Sequence, residues 1–355
     1  MELVSVVIPT FNSQDAIVGA IDSVLAQNYE AIEIIVVDDG SSDHTVAIAR
    51  EKLGGCAKPF RVLEFGVNKG PSAARNAGWR AASGTWVQFL DSDDLLMPFK
   101  IEREAAAGAS APPDVAAVYS PWDRGFVEGG KVRWRGRVVE PFIAGKAPIL
   151  CFAAKCRPLL GASLIRRSAL ERSGGFDEAL RFWECEEACF KLAAIGRFIP
   201  SSSREPEYLW SLDRSTPYIG GFGARYNSRT VGLGWMRLIL KATGNRSIAS
   251  LGLPESDKRL LLWERTTWGR VLFANDREAF REYLSLSRTI ESNPAPVHPL
   301  YISILSRWIG YERAEAVALL AHLPRRWAKS ILHGIGVRQP RSKVRELAWV
   351  IASQI

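Results

Sequence analysis

Apolar and polar positions alternate in blocks over the first hundred residues of the chain. Short runs rich in β-branched residues recur, and amphipathic or polar stretches separate them. Such runs predict strands that are buried on both faces, and apolar residues spaced three and four apart predict helices. The predicted strands cover 3–8, 32–37, 61–65 and 85–90. The predicted helices cover 14–27, with Ser13 as its cap, 45–53 and 71–82.

The order of these elements predicts an α/β fold with a mostly parallel, doubly wound sheet flanked by helices. Right-handed crossovers place the carboxyl ends of the strands along one edge, where open α/β sheets bind ligands. The segments just after the strands are polar and acidic: Asp38 and Asp39 follow the second strand, and Asp91, Asp93 and Asp94 follow the fourth. The sequence therefore concentrates its candidate chemistry on one rim of the sheet.

The three carboxylates at 91, 93 and 94 repel one another unless a cation or hydrogen-bond donors offset their charge. Mg²⁺ shared between one or two carboxylates and phosphate oxygens does so, and Mn²⁺ suits the same ligands. An acidic turn with helix-capping aspartates is the alternative interpretation. The sequence contains neither a glycine-rich dinucleotide fingerprint after the first strand nor a P-loop, which argues against a dinucleotide dehydrogenase and a P-loop phosphotransferase.

The pattern changes after about residue 228. From there, apolar spacing predicts helices over 231–242, 257–274, 277–290, 299–309 and 313–323. We therefore divide the chain into a first domain, 1–228, and a helical C-terminal region, 229–355.

Charge is unevenly distributed between these parts. The chain carries +8, yet its first 100 residues hold 8 basic and 13 acidic side chains, and seven Lys or Arg and no acidic residue lie between Arg325 and Arg345. This basic tail is compatible with peripheral contact with an anionic membrane surface. The alternatives are a solvated helical face, an ordinary helical bundle and a dimerisation surface. No nucleic-acid-binding motif accompanies it. The five cysteines and the absence of a leader pattern predict a cytoplasmic protein, placed peripherally at the inner face of the cell membrane.

Five motifs in a fixed order carry a family resemblance. They are VSVVIPTFN at 4–12, VDDGSSD at 37–43, NKG at 68–70, ARNAG at 74–78 and FLDSDD at 89–94. This series resembles the family 2 glycosyltransferases, which have a GT-A fold and invert the configuration of the transferred sugar. The resemblance implies a nucleotide-sugar half over 1–100 and an acceptor half over 101–228.

The resemblance also implies roles for single residues. The positions expected to bind the nucleotide sugar are Pro9, Thr10, Phe11, Asp38, Asp39, Lys69, Arg75, Asp91 and Ser92. Asp93, with Asp91, is expected to hold the Mn²⁺ or Mg²⁺ that bridges the diphosphate, and Asp94 to support the turn. UDP is the expected nucleotide. The expected acceptor is a saccharide or a lipid-linked saccharide, as in polysaccharide or glycoconjugate synthesis.

The catalytic base departs from the family pattern. The family usually has a Glu-Asp pair that opens a helix, with the Asp as base, whereas here Glu184 is followed by Cys185. A neutral thiol is a poor base, and nearby acids disfavour its ionisation. We predict a glutamate base, Glu184 or Glu186, with Glu187 in that role if the alignment shifts. The alternative is a degenerate, non-catalytic GT-A module that binds nucleotide sugars or serves as a scaffold subunit.

A second departure lies further along the chain. Family members often have a histidine after an aromatic-Arg pair, near the metal or the diphosphate, and this sequence has none there. Asp213 or Arg214 is the expected replacement. The glycine-rich stretch 218–223 is expected to form a lid.

Overall fold

The computed structural model describes residues 1–136, 138–139, 159–180, 183–211, 228–242, 258, 261 and 277–290. The chain separates into two compact units, Met1–Arg225 and Tyr226–Ile355. The domain boundary predicted after residue 228 lies close to this division.

The described strands of the first unit are β1 (Val4–Thr10), β2 (Ile32–Asp38), β3 (Phe60–Glu64), β4 (Trp86–Phe89), β5 (Leu95–Leu96), β6 (Val115–Tyr119), β7 (Trp122–Glu128), β8 (Lys131–Trp134), β9 (Ser163–Arg166), β10 (Arg197–Pro200) and β11 (Tyr208–Ser211). Its described helices are α1 (Ile17–Leu25), α2 (Thr45–Gly54), α3 (Pro71–Ala81), α4 (Lys100–Ala109), α5 (Arg167–Ser173) and α6 (Glu184–Ile195).

A seven-stranded sheet forms the centre of this unit. Its strand order is β10-β6-β9-β4-β1-β2-β3. The β1–β2, β2–β3, β1–β4 and β6–β10 pairs are parallel, and β9 runs antiparallel to β4 and β6. The chain moves from β1 to β2 and β3 on one side and then returns to place β4 on the other side of β1. This reversal creates a topological switch point between β1 and β4, where open α/β sheets form ligand crevices.

The central strands are buried on both faces, as their apolar runs predicted. On β1, Val4, Val6 and Ile8 pack into a core with α1, α2 and α4. Val7 points to the opposite face, into a second core with α3, α5 and α6. Full burial of each such side chain contributes roughly 1.5–3 kcal/mol. The predicted α/β fold, with a mostly parallel sheet between two helical layers, is confirmed.

The same unit contains a second sheet of four strands, in the order β5-β11-β7-β8. The sequence pattern did not predict it. One of its strands, β5, has only two residues, and β11 pairs with strands far from it in sequence. Short strands joined by distant pairings leave little local signal.

The start of α1 differs from the prediction. The helix begins at Ile17, and no side chain caps it. Ser13 accepts the first helical hydrogen bond, from the Ile17 N–H at 2.9 Å, through its carbonyl oxygen. Its hydroxyl group instead lies 2.8 Å from the Ser92 hydroxyl oxygen. The predicted hydroxyl cap is therefore wrong, because this group links two loops of the rim.

The second unit contains the described helices α7 (Ser228–Ala242) and α8 (Arg277–Ile290). An ion pair of 2.7 Å joins Arg237 of α7 to Glu282 of α8. These helices agree with the predictions for 231–242 and 277–290. The predictions for 299–309, 313–323 and the basic tail, and most of that for 257–274, lie outside the described residues. Within the described ranges, every helix is too short or too polar to cross a membrane.

Candidate active site

The carboxyl ends of β1, β2 and β4 meet at one rim of the large sheet. Thr10, the last residue of β1, is paired in register with Asp38, the last residue of β2. The Thr10 carbonyl oxygen accepts a hydrogen bond of 2.8 Å from the Asp39 N–H. The Thr10 hydroxyl oxygen is buried and has no hydrogen-bond partner among the described residues. Pro9 precedes it in the buried strand, and Phe11 follows it with 46% of its surface exposed.

Asp38 and Asp39 organise the loops around this rim. Asp38 accepts hydrogen bonds from the Gly40 N–H at 3.1 Å and from the Ser41 N–H at 2.9 Å. Gly40 has a φ of +77°, and a Cβ there would lie 2.8 Å from the Val67 carbonyl carbon, so this tight turn favours glycine. The Asp38 carboxylate is thus an acceptor for backbone groups, and a carboxylate has further lone pairs that a ligand can use.

Asp39 joins the β2 loop to the segment before α3. Its two carboxylate oxygens accept hydrogen bonds from the Lys69 N–H at 2.6 Å and the Gly70 N–H at 2.8 Å. The Lys69 ammonium group lies over the Phe65 ring, 4.6 Å from its centroid. These contacts bring the predicted nucleotide-binding positions 38, 39 and 69 to the same side of the rim.

Arg75 connects the acidic turn, which is residues 91–94 after β4, to the first residue of α6. Its guanidinium group donates to Asp91 Oδ1 at 2.7 Å and to Glu184 Oε1 at 3.1 Å. The Arg75 side chain is only 6% exposed, whereas those of Asp91 and Glu184 are 43% and 14% exposed. A single arginine therefore brings the predicted metal motif and a predicted base together, although 109 positions separate Arg75 from Glu184.

The backbone is unusual where α6 begins. Trp183, immediately before the helix, has a φ of 65°, in the left-handed region. This conformation is rare for a bulky residue, and strain of this kind costs about 1–3 kcal/mol. It places Glu184 as the first helical residue, beside Arg75.

Cys185 lies in the same cluster. Burial raises the pKa of its thiol well above the ordinary value. The Arg75 cation opposes that rise, and the carboxylates of Glu184, Asp91 and Glu186 add to it. The thiol therefore stays protonated at neutral pH, and its sulfur lies 3.8 Å from Glu184 Oε1 as a weak donor. Cys185 does not have the ionisation state that a catalytic base needs.

The two other glutamates of this helical turn have different surroundings. Glu187 is 2% exposed and forms an ion pair of 3.2 Å with Lys191, one turn further along α6. Glu186 is half-buried, and its charge acts on the thiols of Cys185 and Cys189. Arg75 and Cys185 both contact Glu184 through its Oε1 atom, so among the described residues Oε2 can accept a hydrogen bond from a ligand. Of these three glutamates, Glu184 is the one that accepts a hydrogen bond from Arg75.

The acidic turn after β4 is held by several contacts that the sequence did not predict. The Ser92 hydroxyl group bonds to that of Ser13, as described above. Asp94 is buried and accepts hydrogen bonds from the Tyr208 hydroxyl group and from the Ser211 N–H, the latter at 2.8 Å. Burial raises the pKa of Asp94 well above the ordinary value, and the charges of Asp93 and Asp91 raise it further. Asp93, between these anchored residues, is exposed.

The donor set of this turn fits a hard divalent cation that is shared with a ligand. Among the described residues, no group of three or more His, Cys, Asp or Glu side chains forms a ready-made metal site. Asp91 and Asp93 do provide two solvent-accessible carboxylates, and Mg²⁺ commonly binds one or two carboxylates plus phosphate oxygens. Both carboxylates also raise the pKa of Asp94, after the larger effect of its burial, as neighbouring negative charges do. The predicted positions 213, 214 and 218–223 lie outside the described residues.

Comparison with known proteins identifies the family. Residues 5–173 match the sequence model of Glycosyl transferase family 2. The succinoglycan biosynthesis protein ExoO of Rhizobium meliloti (strain 1021) is 43% identical over 122 residues, which cover 33% of this chain and 34% of that protein. The UDP-Glc:alpha-D-GlcNAc-diphosphoundecaprenol beta-1,3-glucosyltransferase WfaP of Escherichia coli is 39% identical over 106 residues, which cover 29% of this chain and 40% of that protein. The chain thus matches less than half of the length of these two relatives.

A solved structure supports the fold. S. aureus TarS 1–349, crystallised in complex with UDP, superposes with a TM-score of 0.61 at 20% sequence identity, over 89% of this chain and 91% of that one. At this identity the likeness concerns the fold alone. The predicted fold is confirmed, and residues 5–173 match the family predicted from the five motifs. Residues 5–173 of this chain thus belong to Glycosyl transferase family 2, and the fold is GT-A.

Proposed function

We propose that this protein transfers a sugar from a UDP-linked donor to a saccharide or lipid-linked acceptor, with inversion, in the synthesis of a polysaccharide or glycoconjugate. Family membership supports the reaction class. The names of two relatives support the context, because ExoO is a succinoglycan biosynthesis protein and WfaP uses UDP-Glc and a diphosphoundecaprenol-linked acceptor.

The observation that carries this proposal is the pair of hydrogen bonds from Arg75. Through them, one side chain contacts both Asp91, a proposed metal and nucleotide-sugar ligand, and Glu184, the candidate base. Transfer requires positive charge near the leaving diphosphate and a base near the acceptor hydroxyl group. Arg75 links the residues for these two tasks within one cluster.

Each residue has a role in this reaction. Mn²⁺ or Mg²⁺, when held in the acidic turn, would supply positive charge to the departing diphosphate. Asp91 and Asp93 are the residues that would hold it. Lys69 and Arg75 bring positive side chains to the same rim. Glu184 Oε2 accepts the proton of the acceptor hydroxyl group, whose oxygen displaces the nucleotide at the anomeric carbon, and a single displacement inverts the configuration.

Glu184 is a better candidate for the base than its neighbours. The Cys185 thiol is protonated, and Glu187 is buried against Lys191. Glu184 lies next to the acidic turn through Arg75, whereas Glu186 is one helical position past the cysteine, about 200° around the helix from Glu184. The loss of the usual aspartate is thus compensated by the glutamate that precedes it.

A panel of nucleotide sugars, scored by thermal shift with Mn²⁺ present, identifies the donor. Transfer and donor hydrolysis are then measured for Glu184→Gln, Glu186→Gln and, as a control, Glu171→Gln on the surface of α5. We expect Glu184→Gln alone to lower turnover, by about 10²–10⁴-fold, the usual contribution of general base catalysis. Equal turnover in Glu184→Gln and wild type contradicts the assignment of the base. Tight donor binding without any turnover in the wild type favours the non-catalytic alternative.

We also propose that the protein works in the cytoplasm, at the inner face of the membrane, where its basic tail meets anionic lipid. The support is the charge of the segment 325–345, which has seven basic residues and no acidic one. Binding of the full chain to vesicles with and without phosphatidylserine tests this. Binding that ignores anionic lipid, or that survives replacement of the seven basic residues by glutamine, contradicts it.

A further inference from the structure

Contacts at Asp91, Ser92 and Asp94 hold the acidic turn, residues 91–94. Asp91 is held by Arg75, and Ser92 by the hydroxyl group of Ser13. Asp94 also donates its own N–H to the Asp91 carbonyl oxygen at 3.0 Å, which closes the turn. These contacts restrict the backbone on both sides of Asp93, whose side chain is exposed.

The anchor at Asp94 extends to the second sheet. The two carboxylate oxygens of this residue accept from different groups of β11: Oδ2 from the Tyr208 hydroxyl group and Oδ1 from the Ser211 N–H. Asp94 is 3% exposed and Tyr208 is 1% exposed, so the hydrogen bond between them is buried, whereas the bond to the Ser211 N–H is partly buried. The turn and β11 are therefore joined by a two-point contact, one bond of which is fully buried.

The position of Tyr208 is itself strongly constrained. It pairs with Leu96 of β5 and with Trp122 of β7. Its ring lies against Gly161, where an added Cβ would be 2.3 Å from two of the ring carbons. Because the ring has so little room, the hydroxyl group offers Asp94 a fixed donor.

We propose that Asp94 is a positioning residue: it ties the acidic turn to β11 and thereby fixes the direction in which Asp93 meets the cation and the diphosphate. This inference rests on the proposed function, since it assigns a role within the same site. Both carboxylate oxygens of Asp94 are turned towards Tyr208 and Ser211, and the inference assigns Asp94 no contact with substrate. Its contribution is the geometry that it gives to its neighbour.

The test compares Asp94→Ala, Asp94→Asn and Tyr208→Phe in the full-length protein. Asparagine retains an acceptor for the Ser211 N–H and an amide group for the Tyr208 oxygen, so it preserves the two-point contact. Tyr29→Phe is the matched control, because its buried hydroxyl group donates to the Glu2 carbonyl oxygen at 2.7 Å, at the start of the chain. Two quantities are measured: the Mn²⁺ concentration that half-saturates UDP binding, by calorimetry, and hydrogen exchange at the Ser211 amide.

We expect Asp94→Ala to raise the Mn²⁺ midpoint roughly tenfold, the lower end of what the loss of an outer-shell partner costs a metal site. It should also speed exchange at Ser211. Tyr208→Phe should raise the midpoint a few-fold, and Asp94→Asn and Tyr29→Phe should keep it within about twofold of the wild type. If Asp94→Ala does not fold, the Mn²⁺ midpoints of Tyr208→Phe and Tyr29→Phe are compared instead, and a higher midpoint in Tyr208→Phe supports the inference.

Two results would overturn the inference. One is an unchanged Mn²⁺ midpoint in Asp94→Ala and Tyr208→Phe despite faster exchange at Ser211, which makes the contact merely structural. The other is an asparagine variant as impaired as the alanine variant, which makes the negative charge, and not the contact, the relevant property. If the wild type binds no UDP, the proposed function is overturned instead. The inference about Asp94 is then tested by titrating the same variants with Mn²⁺ alone and comparing their Mn²⁺ affinities.

Discussion

Two charged clusters of this protein use similar residues in opposite ways. One lies between α4 and β4, where the Lys100 ammonium group contacts Glu104 Oε2 and Gln88 Oε1, each at 2.6 Å. The side chains of Lys100 and Glu104 are 0% exposed. The other is the rim cluster of Arg75, Asp91 and Glu184, in which the arginine is buried and both carboxylates keep contact with solvent.

The comparison shows that burial and a shifted pKa do not by themselves mark a functional site. Burial raises the pKa of Glu104 to about 7, and the Lys100 cation only partly offsets the rise. Such a shift is often a sign of catalysis, but structural ion pairs produce it as well. The buried pair has no accessible surface for a ligand. At the rim, the carboxylate surfaces left open distinguish a site that can bind something.

Removal of one partner of the buried pair should give the largest effect. Lys100→Met leaves the Glu104 carboxylate without its cation, and this costs about 3–5 kcal/mol of the free energy of unfolding. The loss should shrink at pH 5, where Glu104 takes up a proton. Urea unfolding at both pH values measures it. The double variant Lys100→Met/Glu104→Gln should recover most of the stability, and a single variant as stable as the wild type would contradict the account.

A change at the rim should act on turnover and much less on stability. Arg75→Lys keeps the charge but loses the planar fork that reaches two carboxylates. We expect turnover to fall by about 10²-fold, in the range for loss of one electrostatic donor, with a change in the free energy of unfolding under about 1.5 kcal/mol. Arg61→Lys is the control, because Arg61 contacts the Ala81 carbonyl oxygen at the exposed edge strand β3. A loss of stability as large as that of Lys100→Met would remove the distinction between the clusters.

The buried pair also predicts a pH dependence. The pKa of Glu104 is raised from 4.5 to about 7 in the folded state, so between these values the folded protein holds a proton that the unfolded chain has released. The free energy of unfolding should therefore fall as pH rises from about 4.5 to 7, with a slope of up to about 1.4 kcal/mol per pH unit from this group. Comparison of wild type with Glu104→Gln isolates this slope. Parallel pH profiles for the two proteins would show that Glu104 does not titrate in this window.

The smallest effect is expected at the link between Ser13 and Ser92. Ser13→Ala removes one hydroxyl group from a partly exposed hydrogen bond, which contributes roughly 0.5–1.5 kcal/mol. UDP affinity should fall a few-fold, because the acidic turn loses one of the hydrogen bonds that hold it. Thermal unfolding and calorimetry measure the two effects, with Ser110→Ala at the end of α4 as a control. Unchanged UDP affinity would show that the link serves folding alone.

The first hundred residues could be predicted well because their signals are local. The β1 residues 4–10 and the α3 residues 71–81 lie close to their predicted bounds, since a strand buried on both faces and an amphipathic helix each leave a periodic pattern. The contacts of Arg75 with Glu184 and of Asp94 with Tyr208 bridge more than one hundred positions. No local pattern encodes them. Tyr208 could have been noticed only as an aromatic residue in a short apolar run, which is a common feature of cores.

The Arg75–Glu184 contact has a consequence for protein engineering. The family match ends at residue 173, so the arginine lies inside the matched segment and the glutamate beyond it. A chimera that takes its first 173 residues from a relative would combine a guanidinium group from one parent with a carboxylate from the other. Such hybrids should work only when the incoming segment supplies an arginine at the position of Arg75, and this requirement can guide the choice of parents for donor-swapping libraries.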